Sequence, residues 1–435
     1  MYIDPPYNTE RSAFEGNRIA DDKEKIDAKK FIYRDKFSRN GWLNMLKERL
    51  EIAKKLLSNQ GVILVSIDDN EQAYLKVLMD EIFGEENFLT NFVFAKTSGP
   101  NNNSAKAWIS INHEYIVCYA KNIKNINIKL NERKEERLKQ FKNQDNDPRG
   151  SWAKGYIITP TFNKENHYPV DFNGKTYYLE KNYSWSYTKD KMLEMIKENR
   201  IGAKGDKLFK KIFLNESKSG VNPISTIFDN QLNNGKDNNL DIDIFRILPE
   251  LFLESFLINP QEHGSSTEGT RILSSILGTK KFLFPKSVKL LIYLINIFSL
   301  ENSRILDFYA GSGTTGHAVL ELNRQDGGNR SYTLVTNNEN KIAKNITYER
   351  LYRINKGEGS KIKEEFDWIE KNNAFNSTLD VYDIEYKNMS IKSNKQLDDL
   401  LNEVNQMLNN FGIKNNSLTS DKILAKLRSL KAMGE

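Results

Sequence analysis

The chain has 435 residues and 50.4 kDa, enough for two or three domains, and 38% hydrophobic with 28% charged residues is a globular composition rather than a disordered one. A single cysteine, Cys118, excludes an intrachain disulfide and a multi-cysteine zinc site. The surplus of 64 basic over 58 acidic residues (net +6) permits nucleic-acid binding without establishing it, and the most apolar stretch, 290–300, is too short to span a bilayer, so a soluble cytoplasmic protein is expected.

In chain order, apolar residues at 42, 43, 46, 50, 53, 56 and 57 predict a helix. Gly61 ends that pattern, 62–65 reads as a buried strand, 70–83 as a helix closed by Gly84, and 114–120 as another strand. This alternation predicts an α/β layer with a parallel sheet. From 121 to 260 the regularity weakens into charged segments, aromatics and Asn/Gly loops, read as an inserted domain. The βα pattern then returns with a helix over 287–298, a strand over 304–308, a helix over 314–322, a strand over 331–336 and a helix over 341–354. After Gly357 the chain is polar, with two further helices expected at 396–411 and 420–433. The expected divisions are 1–120, 121–260, 261–357 and 358–435.

Two motifs carry chemistry. Asp307-Phe308-Tyr309-Ala310-Gly311-Ser312-Gly313-Thr314-Thr315 follows a strand and opens a helix, where glycines admit a ligand to the backbone and the helix start offers unpaired N–H groups. Gly311, Gly313 and Gly316 also match the dinucleotide fingerprint, but Asp307 stands four residues before the first glycine, a position suited to a ligand with a cationic amino group. Glu339, just after the next strand, is the candidate for a ribose diol. The second motif is Asp4-Pro5-Pro6-Tyr7. Two prolines fix φ and remove two donors, leaving a stiff projection with the Asp4 carboxylate, the Pro5 carbonyl and the Tyr7 ring. Two acceptors and an aromatic face suit an exocyclic amine on a planar base. None of His113, His167, His263 and His317 sits in a ligand spacing, so no metal is expected.

With these motifs the sequence resembles the DNA amino-methyltransferases, and more closely the modification subunit of type III restriction–modification systems, an adenine-N6 methyltransferase of the β class. The order matches: Asp4 to Tyr7 first, a variable middle, and Asp307 to Gly313 last, with Tyr309 where the family usually has Phe. Segments 37–57, 61–88, 113–121, 266–270, 284–291 and 331–351 are also similar to the family's. The resemblance implies a Rossmann-like α/β sheet dependent on S-adenosylmethionine, divided at 1–120 (catalytic half) and 261–357 (cofactor half). It also implies an inserted target-recognition domain at 121–260 and a helical appendage at 358–435. It implies that Asp4, Pro5, Pro6 and Tyr7 are catalytic. Asp307, Tyr309, Gly311, Gly313, Thr314 and Glu339 would bind the cofactor, with Lys286 leading a helix over its methionine end and 66–69 bordering the site.

The expected activity is methyl transfer to N6 of an adenine flipped out of double-stranded DNA. Segments 175–191 and 204–213 are candidate DNA contacts. A restriction helicase-nuclease subunit and a second modification subunit are the expected partners. Only three residues precede Asp4, where family members usually carry an upstream segment, so a truncated chain with impaired turnover is expected. Cytosine-N4 transfer, an inert DNA-recognition subunit and a nicotinamide oxidoreductase are the competing readings.

Overall fold

The computed structural model describes residues 1–9, 35–95, 111–133, 135–217, 220, 222–223, 225–227, 264–278, 282–384 and 394–410, with isolated positions 419, 422 and 425. The chain divides into two units, Met1–Asn127 with Ser225–Glu435, and Ile128–Ile224. His263, most of the segment expected to close the inserted domain and the helix expected at 420–433 fall outside the described residues or on isolated positions among them.

In the first unit a five-stranded sheet has the order Tyr2–Ile3, Val62–Ile67, His113–Ala120, Phe88–Ala95, Thr226–Ile227. Tyr2–Ile3 runs parallel to Val62–Ile67, with Tyr2 opposite Leu64 and Ile3 opposite Val65. The sheet is mixed, not purely parallel as the alternation of strand and helix implied. The helix Gln72–Phe83 does carry the chain from one strand to a second of the same direction, but His113–Ala120 inserts antiparallel between them. An antiparallel neighbour needs no crossover helix, so it leaves no βαβ signature in the sequence. The strand Phe88–Ala95 was not foreseen. Its single polar pair, Thr90 and Asn91, interrupts an otherwise apolar run, and its faces are only partly buried.

The helix Arg39–Leu56 starts on Ser38, whose hydroxyl accepts from the Gly41 N–H, and lays Trp42, Leu46, Leu50 and Ala53 on the sheet. Ile3, Ile63 and Val65 meet that face from the sheet, so the strand that leads into Asp4 is anchored in the main core despite its length.

The glycine motif follows the strand Arg304–Asp307, which pairs in parallel with Ser331–Leu334 through the helix Thr314–Asp326 and also touches Tyr2–Ile3. The helix expected over 341–354 is broken. Asn340 and Lys341 have positive φ (47° and 64°), a π-turn covers Ala343–Thr347, and regular helix begins only at Tyr348–Lys356. The apolar spacing there reports one buried face but not the extra residue per turn. Among the described residues no helix is long and apolar enough to cross a membrane.

The second unit holds an antiparallel sheet in the order Ile201–Lys204, Lys207–Phe213, Trp152–Gly155, the short hairpin Val170–Phe172 with Lys175–Tyr177, the antiparallel pair Ile158–Thr159 with Ser184–Trp185, and the helix Lys189–Lys197. Its own core gathers Ile157, Tyr177, Trp185, Met192, Ile201 and Leu208. Lysines in the segments expected to contact DNA are partly committed elsewhere. Lys211 is buried in ion pairs with Asp145 and Asp147, and Lys175 pairs with Asp206. A Lys-rich strand places alternate side chains inward, and an inward lysine needs a carboxylate.

Candidate active site

The Pro-Pro segment is tied down at every turn. The Trp42 indole N–H donates to the Pro6 carbonyl at 2.8 Å. Asn8, at φ 59°, donates its backbone N–H to Asp35 and its side-chain amide to Glu71, and accepts from the Phe37 N–H. Asn tolerates the left-handed conformation that turns the chain away after Tyr7. Tyr2, just upstream, bonds its hydroxyl to Ser66 at 2.8 Å.

Asp4 and Tyr7 meet a residue 279 positions away from Tyr7. Lys286 Nζ lies 3.1 Å from Asp4 Oδ1, 2.8 Å from the Tyr7 hydroxyl and 2.9 Å from Glu114 Oε2. The Tyr7 hydroxyl donates to Glu114 at 2.7 Å, and the lysine sits 4.8 Å from the Tyr7 ring centroid. Burial disfavours the Lys286 charge, but Asp4 and Glu114 outweigh it and hold its pKa above the ordinary lysine value. Burial raises the Asp4 carboxyl above its usual range, against the opposing pull of Lys286 and with a further push from Glu114. Asp4 Oδ1 is buried and has no hydrogen-bond partner beyond this ion-pair contact.

What brings Lys286 here is a close backbone approach. The helix Ser266–Leu277 passes so near the Pro285 and Lys286 carbonyls that a Cβ on Gly269 would stand 2.3 Å from Pro285 O. Ser287 caps the next helix, Val288–Phe298, by accepting from the Leu290 N–H, which fixes Lys286 just before its start. Lys286 thus stands at the Asp4 end of the site.

The glycine loop is built from within. Asp307, expected to face a cationic ligand group, accepts from the Tyr309 N–H at 2.9 Å and from the Thr315 hydroxyl at 2.5 Å. Burial pushes its carboxyl up to about 7 against those two bonds. Gly311 and Gly313 take φ of 48° and 76°, and Thr347 donates its hydroxyl to the Gly311 carbonyl at 2.6 Å. The Tyr309 hydroxyl reaches Met45 Sδ at 2.6 Å on the first helix. Gly316 lies against Leu334 and Tyr332, so the third glycine of the fingerprint serves helix–strand packing. Glu339 is half-buried at the far end of the strand Ser331–Leu334.

One cavity is lined by Asp4, Lys286, Asp307, Tyr309, Thr314 and Glu339, together with Gly311. Segments separated by some 300 residues of chain therefore open on one space. Sequence reasoning did not single out Glu114, and it gave Asn8, at the end of the Pro-Pro motif, no role. The signal for Glu114 was available, as an acid inside an otherwise apolar strand (His113–Ala120) needs a buried partner.

The profile of the N6/N4 DNA methylases matches residues 1–349. The chain belongs to this DNA methylase family. Among curated relatives, the chain is 28% identical to the type III restriction-modification enzyme StyLTI Mod subunit of Salmonella typhimurium over 82% of this chain and 52% of the relative. It is 31% identical to the EcoPI Mod subunit of Escherichia phage P1 over 82% of this chain and 57% of that one. It is 29% identical to the type II methyltransferase M.KpnI of Klebsiella pneumoniae over 81% and 78%. The chain thus spans about half the length of the Mod subunits it matches.

Proposed function

We propose that this chain transfers a methyl group from S-adenosylmethionine to the N6 amine of an adenine flipped from double-stranded DNA. In this reading it is the modification subunit of a type III restriction–modification system, paired with a second copy and with a restriction subunit. The observation that carries the reading is the shared cavity of the Asp4 segment and the glycine loop. The residues present suit the cofactor. A half-buried acid, Glu339, stands where a ribose diol would be held, the Tyr309 ring borders the cavity, and the Thr314 hydroxyl opens on it. When bound, the cofactor supplies a methyl group already activated on a sulfonium.

The chain's own residues do the rest. The Asp4 carboxylate and the Pro5 carbonyl accept hydrogen bonds from the two N–H groups of the amine, drawing its lone pair out of conjugation with the ring and stabilising the charge that develops on nitrogen. Lys286 and Glu114 fix the Tyr7 ring by its hydroxyl, so its face is set for stacking before the base arrives. The neighbouring Lys286 ammonium favours the charged form of Asp4 against the burial that raises its carboxyl. The unit Ile128–Ile224, lying within the expected 121–260, is read as the target-recognition domain, with Lys207, Lys210 and the exposed rings of Tyr156 and Tyr178 as its candidate contacts.

The test is transfer of labelled methyl from S-adenosylmethionine to duplex DNA, followed by digestion to nucleosides. N6-methyladenine in the wild type and none in Asp4→Ala supports the reading. Label in N4-methylcytosine overturns the adenine assignment, and DNA binding with no transfer in the wild type leaves a recognition subunit only.

A further inference from the structure

The glycine loop is held from behind by a cation that has no anion among the described residues. Arg350, on the helix Tyr348–Lys356, is fully buried. Its Nη1 donates to the Ser312 carbonyl and hydroxyl, each at 3.2 Å, and to the Thr314 hydroxyl at 2.8 Å. Its Nη2 lies 3.2 Å from His317 Nδ1, and its Nε is buried with no partner. All of these partners are neutral. His317 is buried and kept uncharged by its desolvation and by Arg350, so its Nδ1 accepts and its Nε2 carries the proton. The ring stands edge-on to Trp368 and Phe375, at 5.6 and 5.9 Å. Burial alone pushes the guanidinium down to about 9, which leaves it charged at neutral pH. A buried ion without a counter-charge costs several kcal/mol, and proteins rarely keep one without a use.

The hydroxyls in front of it define that use. Ser312 Oγ and Thr314 Oγ1 are 3.1 Å apart, and each accepts a bond from Arg350. One hydroxyl hydrogen is spent between the two oxygens, so the other remains to be donated. Both residues line the cavity, at the end where the helix Thr314–Asp326 begins with its first-turn N–H groups. A polarised hydroxyl, a helix start and a buried positive charge converge on one spot, and together they favour a carboxylate.

We propose that Arg350 is a positioning residue that orients Ser312 and Thr314 toward the carboxylate of the cofactor's amino-acid end and supplies the buried charge that makes this end selective for it. The proposal rests on the S-adenosylmethionine reading above and adds to it the residue behind the loop.

The test is calorimetric binding to the full chain of two probes, S-adenosylhomocysteine, which keeps the amino acid, and 5′-methylthioadenosine, which lacks it. Arg350→Met is expected to weaken the first about tenfold or more, as for a lost charge-assisted bond, and the second less than about threefold. Arg350→Lys is expected to restore part of the difference. The pair Ser312→Ala and Thr314→Val leaves Arg350 in place and is expected to show the same selective loss, which decides the matter should Arg350→Met fail to fold. Equal losses for both probes, or undiminished binding of S-adenosylhomocysteine, overturn the proposal. Wild-type protein that binds neither probe overturns the cofactor reading itself, a different result from either.

Discussion

Lys286, which lines the cavity, and Arg350, buried behind its glycine loop, are two cations of the same unit that are treated in opposite ways. Lys286 has Asp4 and Glu114 within 3.1 Å. Arg350 has only a carbonyl, two hydroxyls and a neutral imidazole. The first cation has two carboxyl groups around it, so the cluster holds one more acid than base beside the place where positive charge develops in methyl transfer. The second is uncompensated and leaves positive potential behind the loop. The difference teaches that the cavity is electrically graded: one end is prepared for a forming cation, the other for a ligand anion.

The largest effect that would break this comparison comes from removing each cation in turn. Lys286→Met leaves Asp4 and Glu114 buried together without their cation, and is expected to cost about 3–5 kcal/mol in urea denaturation and to reduce methyl transfer at least a hundredfold. Arg350→Met strands no carboxylate and is expected to cost less than half as much. Equal costs would mean that the two cations are not different in kind. Glu114→Gln keeps a hydrogen-bond acceptor for Lys286 and Tyr7 but removes a charge. About 2 kcal/mol of coupling to Lys286 is expected in a double-mutant cycle, and additivity within about 0.5 kcal/mol would show that Glu114 does not compensate the lysine.

Asp307 sharpens the picture between the two ends. Its folded-state pKa of about 7 lies above the unfolded value of 3.8, so its contribution is fully present below about pH 4 and is lost as pH rises through 7. Stability from this group should fall by at most about 1.4 kcal/mol per pH unit across that window, then level off. Asp307→Asn can still accept from Tyr309 and meet the Thr315 hydroxyl, and is expected to flatten the profile measured by urea midpoints from pH 4 to 8. An unchanged slope would place the titrating group elsewhere. The smallest effect belongs to Tyr309→Phe, which keeps the ring and loses the hydroxyl that reaches Met45. A cost below about 1 kcal/mol is expected in thermal unfolding, since one hydroxyl-to-thioether bond is weak.

Much of the fold was legible because local rules carry it. The helix Arg39–Leu56 and the strands Val62–Ile67 and His113–Ala120 were readable from apolar spacing within a residue or two to a few of their ends. The antiparallel insertion of His113–Ala120 was not, since strand order depends on contacts between segments rather than on the spacing within any one. Nor was the broken helix before Tyr348, where Asn340 and Lys341 take left-handed backbone that a stripe of apolar residues does not report. Within the site, Asp4 and the glycines announced themselves by their neighbours in sequence. Glu114 and Arg350 did not, although each is a charge set in an apolar register, Glu114 in its strand and Arg350 between Ile346 and Ile354 on the buried side of its helix.

The sequence by itself determined the order of the two motifs, the stiffness of the Pro-Pro segment and the loop that only glycines can turn, because φ restrictions and missing donors act within a few bonds of the residue that imposes them. Only the tertiary structure decided which charges answer one another: that Lys286 turns to Asp4 and Glu114, that Asp307 accepts from its own loop, and that Arg350 has no anion among the described residues. Coulomb energy depends on distance and desolvation in space, and neither is set by separation along the chain.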